Sequence, residues 1–209
     1  MRLFFLLVFV LVFSFNPLCA TASVKIFDTK EIESVNLKPF FKWTGMLDRF
    51  RTKLSLQENC TPSATKKCHV KEWRDFLSSL KDKDISIKLR EVNKYMNEAE
   101  YILDIINWGV QDYWATPFQF FVKDGDCEDY AIAKYMSLKE LGVSENDMRI
   151  VVLQDNNLGV MHAVLAVLTG DEALILDNQI SQVVSANKIH HYSPIYSINE
   201  HHWWRHSKN

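Results

Sequence analysis

Lys123-Asp124-Gly125-Asp126-Cys127-Glu128-Asp129-Tyr130-Ala131-Ile132-Ala133-Lys134-Tyr135 is the stretch from which the rest of the chain is read. Gly125 lets the chain turn, and Asp126 is suited to cap a helix N-terminus. Glu128 and Asp129 complement the positive end of the helix dipole in its first turn. The helix then runs through Ala131, Tyr135, Leu138 and Leu141 and stops at Gly142. Free N–H groups at a helix start favour a thiolate, the reactive form of cysteine, so Cys127 reads as a nucleophile. On these residues alone, an ordinary cap with a small apolar residue in its first turn competes with that reading.

Downstream the pattern changes to strands. Met148 to Leu153 is apolar and β-branched, Asp155 to Gly159 is a turn, and Val160 to Leu168 is a second strand. Thr169-Gly170-Asp171-Glu172 is a tight turn into a third strand, Ala173 to Asp177. The helix leads away from Cys127 and the first strand returns, so the second strand starts, and the third ends, at the Cys127 end. If Gly170-Asp171 is a two-residue hairpin turn, His162 faces Gln179 and Asp177 faces Val164. His162 and Asp177 then share one sheet face as diagonal neighbours. A slip of one residue would put them on opposite faces. In that arrangement His162 takes the Cys127 proton and Asp177 orients the imidazole. The backbone N–H of Cys127 serves as one oxyanion donor, with Gln111, Trp108 or Trp114 as the second.

Asp124, Asp126, Glu128 and Asp129 oppose a thiolate, because like charges raise a cysteine pKa. A divalent cation would offset them, and carboxylates with carbonyl oxygens suit calcium. Asp155 and Asn156, in the turn at the same end, are candidate further ligands. Complementation of the helix dipole alone is the plainer alternative.

Upstream, apolar residues recur at helical spacing in Phe40 to Leu54, in His69 to Leu80, and in Ile87 to Asn107, where Val92, Tyr95, Ala99, Ile102 and Ile106 point inward. Asp112 to Pro117 is a turn-rich connection into Phe118 to Val122. Helices first and antiparallel strands afterwards predict an α+β domain. The paired histidines His190-His191 and His201-His202, with His206, match no ordered metal spacing and read as surface loops. Trp203-Trp204 reads as packing on the domain.

The chain opens with Arg2, an apolar run from Leu3 to Phe15, Pro17, and Ala20-Thr21-Ala22, the pattern of a secretory signal peptide cut after Ala22. Residues 1–22 are therefore expected to be a signal peptide, 23–39 an N-terminal extension and 40–209 one domain. A net charge of −2 with no long basic run argues against a nucleic-acid partner. Export implies an oxidising compartment. Cys60 and Cys68 flank a polar loop that a disulfide would close, two free thiols being the alternative, and Cys127 is left unpaired.

The string from Gly125 to Tyr135, with Met161-His162-Ala163-Val164-Leu165, Leu176-Asp177-Asn178, Trp108-Gly109, Tyr113-Trp114-Ala115-Thr116-Pro117 and Pro194 to Asn199, resembles the bacterial transglutaminase-like cysteine proteinases. The resemblance implies a papain-like or transglutaminase-like fold, N-terminal helices packed on an antiparallel sheet, and a triad of Cys127, His162 and Asp177. It also implies calcium dependence, with Asp126 and Glu128 in the positions that carry it and Asp129 beside them. In the family members it most resembles, the substrate is the periplasmic N-terminal region of a large outer-membrane adhesin, cut at a pair of alanines. An inner-membrane receptor for cyclic di-GMP sequesters the protease, so its release promotes biofilm dispersal. Against a periplasmic protease stand an acyl transferase, which uses the same three groups with an amine in place of water, and a non-catalytic calcium-dependent binding module.

Overall fold

The computed structural model describes residues 24–54 and 69–208. The expected signal peptide and the expected Cys60–Cys68 disulfide fall outside the described residues. Within them the elements run β1 (Lys30–Ser34), α1 (Phe41–Leu54), α2 (His69–Leu80), α3 (Ile85–Met96), α4 (Asp104–Asn107), α5 (Pro117–Lys123) and α6 (Cys127–Glu140). The strands β2 (Met148–Asp155), β3 (Val160–Thr169), β4 (Glu172–Leu176), β5 (Val184–Ser185), β6 (Tyr192–Ile198) and β7 (Trp203–Ser207) follow. They join β1 in one antiparallel sheet of order β1-β7-β6-β2-β3-β4-β5. The α+β expectation, helices on an antiparallel sheet, holds.

Period-two alternation puts a core on each sheet face. Met148, Ile150, Leu165, Val167, Leu176 and Ile198 meet the helices, whose buried Trp43, Trp73, Leu89, Val92, Tyr135 and Leu138 complete the larger core. Val151, Leu153, Val164, Ala166 and Ile175 face the other way, beneath Ile26, Ala186, Ile189 and Tyr192. The helix α6 packs on β3 and β2 and is sandwiched by α3 and α5, so most of its surface is buried, Lys134 included.

One expectation about the helices is corrected. The helix expected over 87–107 ends at Met96, and only Asp104–Asn107 resumes it. The backbone between is committed elsewhere: Ile102 N–H donates to Gly125 O at 2.9 Å, and Tyr101 forms a parallel bridge with Gly125. Ile106, expected inward, is 73% exposed. At the sheet edge, β1 pairs with β7 residue for residue from Lys30↔Ser207 to Ser34↔Trp203. The Arg149 guanidinium fastens this edge from β2, 2.7 Å from Glu31 and 3.6 Å over the Trp204 ring. Phe40 packs on Trp203 with centroids 5.0 Å apart.

Candidate active site

The β3–β4 hairpin has the register that Gly170-Asp171 predicted, with Thr169↔Glu172 and Leu165↔Leu176 paired. Continued to the strand ends, that register places His162 and Asp177 diagonally on one face. There the ring nitrogen Nε2 of His162 lies 2.9 Å from Asp177 Oδ1, with both side chains almost fully buried. Asp177 is held further by the Tyr192 hydroxyl, which donates to Oδ2 at 2.6 Å, and by Gln179 N–H, which donates to Oδ1 at 2.8 Å. Burial opposes its charge, but these bonds and the imidazole keep Asp177 below the usual carboxylate range. An ionised Asp177 on Nε2 leaves the other nitrogen, Nδ1, as the free base. The Gln179 amide nitrogen stands 3.4 Å from Nδ1.

Cys127 opens α6 with Asp126 as its cap, and its partly buried thiol lies beside the backbone N–H of Ala163, the residue after His162. The thiol donates to Glu128 Oε2 at 3.2 Å. Burial, the Glu128 charge and that bond, and Asp126 push Cys127 well above the ordinary thiol range, while the Ala163 N–H pulls the other way. Burial first, and then the acidic charge beside it, thus weigh against the thiolate.

That charge is concentrated. Asp104, Asp126 and Asp129 offer oxygens within 4.8 Å of one another, and so do Asp104, Asp112 and Glu128. Burial, opposed by a bond from Tyr113 N–H, raises Asp104 to about 6, and burial with the Glu128 charge raises Asp126 to about 8. Burial is also the main cause of the rise in Asp129 and Glu128. Asp104 Oδ1, Asp126 Oδ1 and Asp129 Oδ2 are buried without a hydrogen-bond partner. The remaining oxygens are oriented: Ala115 N–H donates to Asp129 Oδ1 at 2.7 Å, Tyr113 N–H to Asp104 Oδ2, and Asp104 N–H to Asp126 Oδ2 at 3.4 Å. Orphaned hard oxygens that repel one another fit a divalent cation of the oxygen-seeking kind. Gly125 makes the room, since a Cβ there would stand 2.7 Å from the Asp129 Cβ.

The expected ligands divide. Asp126, Glu128 and Asp129 converge, but Asp155 and Asn156 do not join them. Asp155 Oδ1 accepts from Asn157 and Leu158 N–H at 2.8 and 3.1 Å, and Asn156 donates its amide to His191 O and Ser193 Oγ. Asp155 braces the β2–β3 turn, a short-range use of an Asx side chain, and Asn156 ties that turn to the start of β6. Asp124 sits at the end of α5 with φ +59°.

Similarity to known proteins bears on the chemistry from outside. The sequence profile of the bacterial transglutaminase-like cysteine proteinases (BTLCP) matches residues 52–208. The chain belongs to this family. It is a cysteine protease by that membership, and solved structures agree. Calcium-bound LapG from Legionella pneumophila is 32% identical with a TM-score of 0.64, over 75% of this chain and 87% of that one. The EGTA-treated form of the same Legionella protein is 33% identical with a TM-score of 0.63, over 75% and 84%. No curated protein matches the chain.

For this transglutaminase-like proteinase, several site residues escaped the sequence. Asp104 was hidden inside the overextended helix, and Tyr192 belongs to a strand that was not read. Asp112 opens a turn-rich connection, where nothing local marks it as a ligand. Of the three expected oxyanion donors, Trp114 is buried edge-on against Trp43, Trp108 packs on Tyr113 with the rings tilted by 34°, and Gln111 is exposed. Lys134, two helical turns beyond Cys127, is wholly buried with no hydrogen-bond partner for its Nζ, which lies 5.7 Å over the Tyr130 ring, and burial lowers it to about 7. No histidine joins a metal-sized cluster among the described residues.

Proposed function

We propose that this transglutaminase-like cysteine proteinase is a calcium-dependent endopeptidase of the periplasm, with Cys127 as nucleophile, His162 as base and Asp177 as orienting carboxylate. The buried 2.9 Å contact of His162 Nε2 with Asp177 carries the reading, because it fixes a tautomer whose Nδ1 is free to receive the thiol proton. As the proton leaves Sγ, the sulfur adds to the scissile carbonyl carbon and the carbonyl electron pair moves to oxygen. Collapse expels the amine, which takes its proton from the imidazolium. Water then enters by the same base and releases the acid.

Asp126, Glu128 and Asp129, with Asp104 and Asp112, would hold the calcium ion. Bound there, it would supply positive charge that offsets the carboxylates opposing thiolate formation. Glu128 links the two halves of the site, since the carboxylate that would serve the ion also accepts a hydrogen bond from the Cys127 thiol. A calcium-bound LapG among the similar structures supports the choice of ion.

The substrate proposed is the N-terminal region of a large outer-membrane adhesin, cut at paired alanines to release it and promote biofilm dispersal. An inner-membrane cyclic-di-GMP receptor would restrain the enzyme. Both rest on the family resemblance, and the signal-like first 22 residues support the compartment. The test is a double-alanine peptide incubated with the protein. Cleavage is expected with calcium, with loss in chelator and in Cys127→Ala. Incorporation of a primary amine in preference to hydrolysis would instead make the enzyme an acyl transferase. Binding of calcium without labelling of Cys127 by a thiol-directed probe would leave a binding module.

A further inference from the structure

The hairpin register that sets His162 and Asp177 on one face also puts Gln179 opposite His162, three positions beyond the last paired residues, Leu165 and Leu176. Strand pairing has stopped there, and Asp177 replaces it with a turn of its own. Its Oδ1 accepts the Gln179 N–H at 2.8 Å and also meets His162 Nε2 at 2.9 Å. The Gln179 side chain is thereby held against the imidazole, with its Nε2 3.4 Å from His162 Nδ1. His162 is only 2% exposed, whereas Gln179 is exposed, so this amide is the outer neighbour of the base nitrogen.

The bond has a direction. Asp177 takes the Nε2 proton, so Nδ1 carries a lone pair and the amide is the donor. A lone pair engaged by the amide is not open to the thiol proton. The thiol is likewise engaged elsewhere, donating to Glu128 Oε2 at 3.2 Å. Catalysis therefore requires the Gln179 amide to leave Nδ1 for another acceptor, and a bond as long as 3.4 Å is exchanged at little cost. The same Nδ1 later delivers its proton to the amine being expelled, so the leaving nitrogen comes within hydrogen-bond reach of it. That nitrogen and the carbonyl oxygen of its own residue are roughly 3 Å apart. An amide that starts beside Nδ1 reaches this carbonyl with a small side-chain rotation. We infer that Gln179 recognises the leaving half of the substrate: its amide caps His162 in the resting enzyme and passes to the first carbonyl beyond the scissile bond when a peptide enters, which bares the base. The inference rests on the cysteine-protease reading above. No covalent bond changes in the exchange, since one hydrogen bond replaces another. The thiol proton then moves to Nδ1 as sulfur attacks, the amine leaves with that proton, and Gln179 keeps both of its own.

Gln179→Ala tests this in the calcium-supplemented protein, because it keeps the N–H on Asp177 and removes only the side-chain amide. Hydrolysis of the double-alanine peptide should lose about fivefold in kcat/KM, mainly through a higher KM. Alkylation of Cys127 by iodoacetamide, which has no leaving segment, should instead become about twofold faster, since the base is already bare. Gln179→Met, close in length but without a donor, should move both rates in the same directions. Opposite changes are the signature of the exchange. Loss of both rates together would overturn the inference and make Gln179 a support for the His162–Asp177 pair. Unchanged hydrolysis would overturn it as well. A parent protein whose alkylation is indifferent to His162→Ala would sink the protease reading itself, and the inference with it.

Discussion

At the scale of single residues, the site is a contest between charge and burial. Asp177 stays ionised in a buried place because three donors converge on it, and the imidazole is oriented by that charge. Asp177→Asn keeps the shape but loses the charge and can set the wrong tautomer. Its kcat on the double-alanine peptide is expected to fall by a factor on the order of 10⁴, with thermal stability little changed. The carboxylates around Asp126 follow the opposite course, raised by burial and by one another. Gly125 allows Asp129 to stand among them, and no side chain fits in its place. Gly125→Ala should cost about 1–3 kcal/mol of stability by overpacking and weaken calcium binding at least tenfold. Calorimetric titration with calcium would read the second effect directly.

At the scale of elements, α6 does two jobs. Its first turn presents the nucleophile, and its body is a core helix buried against α3, α5 and the sheet. Lys134 belongs to that body, and an amine there loses its hydration without gaining a hydrogen bond. With its folded pKa near 7 against 10.5 unfolded, the unfolded chain binds more protons between those values, so stability rises with pH across that window. Below pH 7 the whole penalty of the buried charge is present. Lys134→Met should therefore melt higher than the parent at pH 6, by the equivalent of about 2 kcal/mol, and the gap should narrow toward pH 10. Thermal melts at the two pH values would show it. The helix was legible from Ala131, Tyr135, Leu138 and Leu141, but the surrounding elements that make Lys134 an interior residue were not. The overextended helix before it failed for a related reason. Residues 97–103 have a helical apolar pattern, yet Asn97, Glu98 and Ala99 only close turns on the end of α3, and Tyr101 and Ile102 pair with Gly125, twenty-odd positions along the chain.

At the scale of the whole molecule, the sheet edge holds the chain's first strand against its last. His206 on β7 is buried between Thr29, 2.7 Å from Nδ1, and Ser197, 2.8 Å from Nε2. Because the Thr29 hydroxyl donates to Ile26 O at 2.9 Å, it accepts from Nδ1–H, and the neutral ring accepts from Ser197 at Nε2. Burial lowers His206 to about 4, so between 4 and 6.5 the unfolded chain binds more protons and stability falls as pH drops. His206→Gln should flatten that fall, removing on the order of 2 kcal/mol of the difference between pH 6.5 and pH 4 in denaturant melts. What the sequence by itself determined is whatever local physics dictates. The cap and dipole at Cys127, the turn at Gly170-Asp171 and the alternation of β3 were enough to place His162 and Asp177 on one face. The tertiary structure alone decided the cation-seeking cluster, in which Asp104 and Asp112 join Asp126, Glu128 and Asp129, and it set Asp155 and Asn156 aside. Carboxylates far apart in the chain become one charge cluster only when folding removes the water between them, and no spacing rule carries that information.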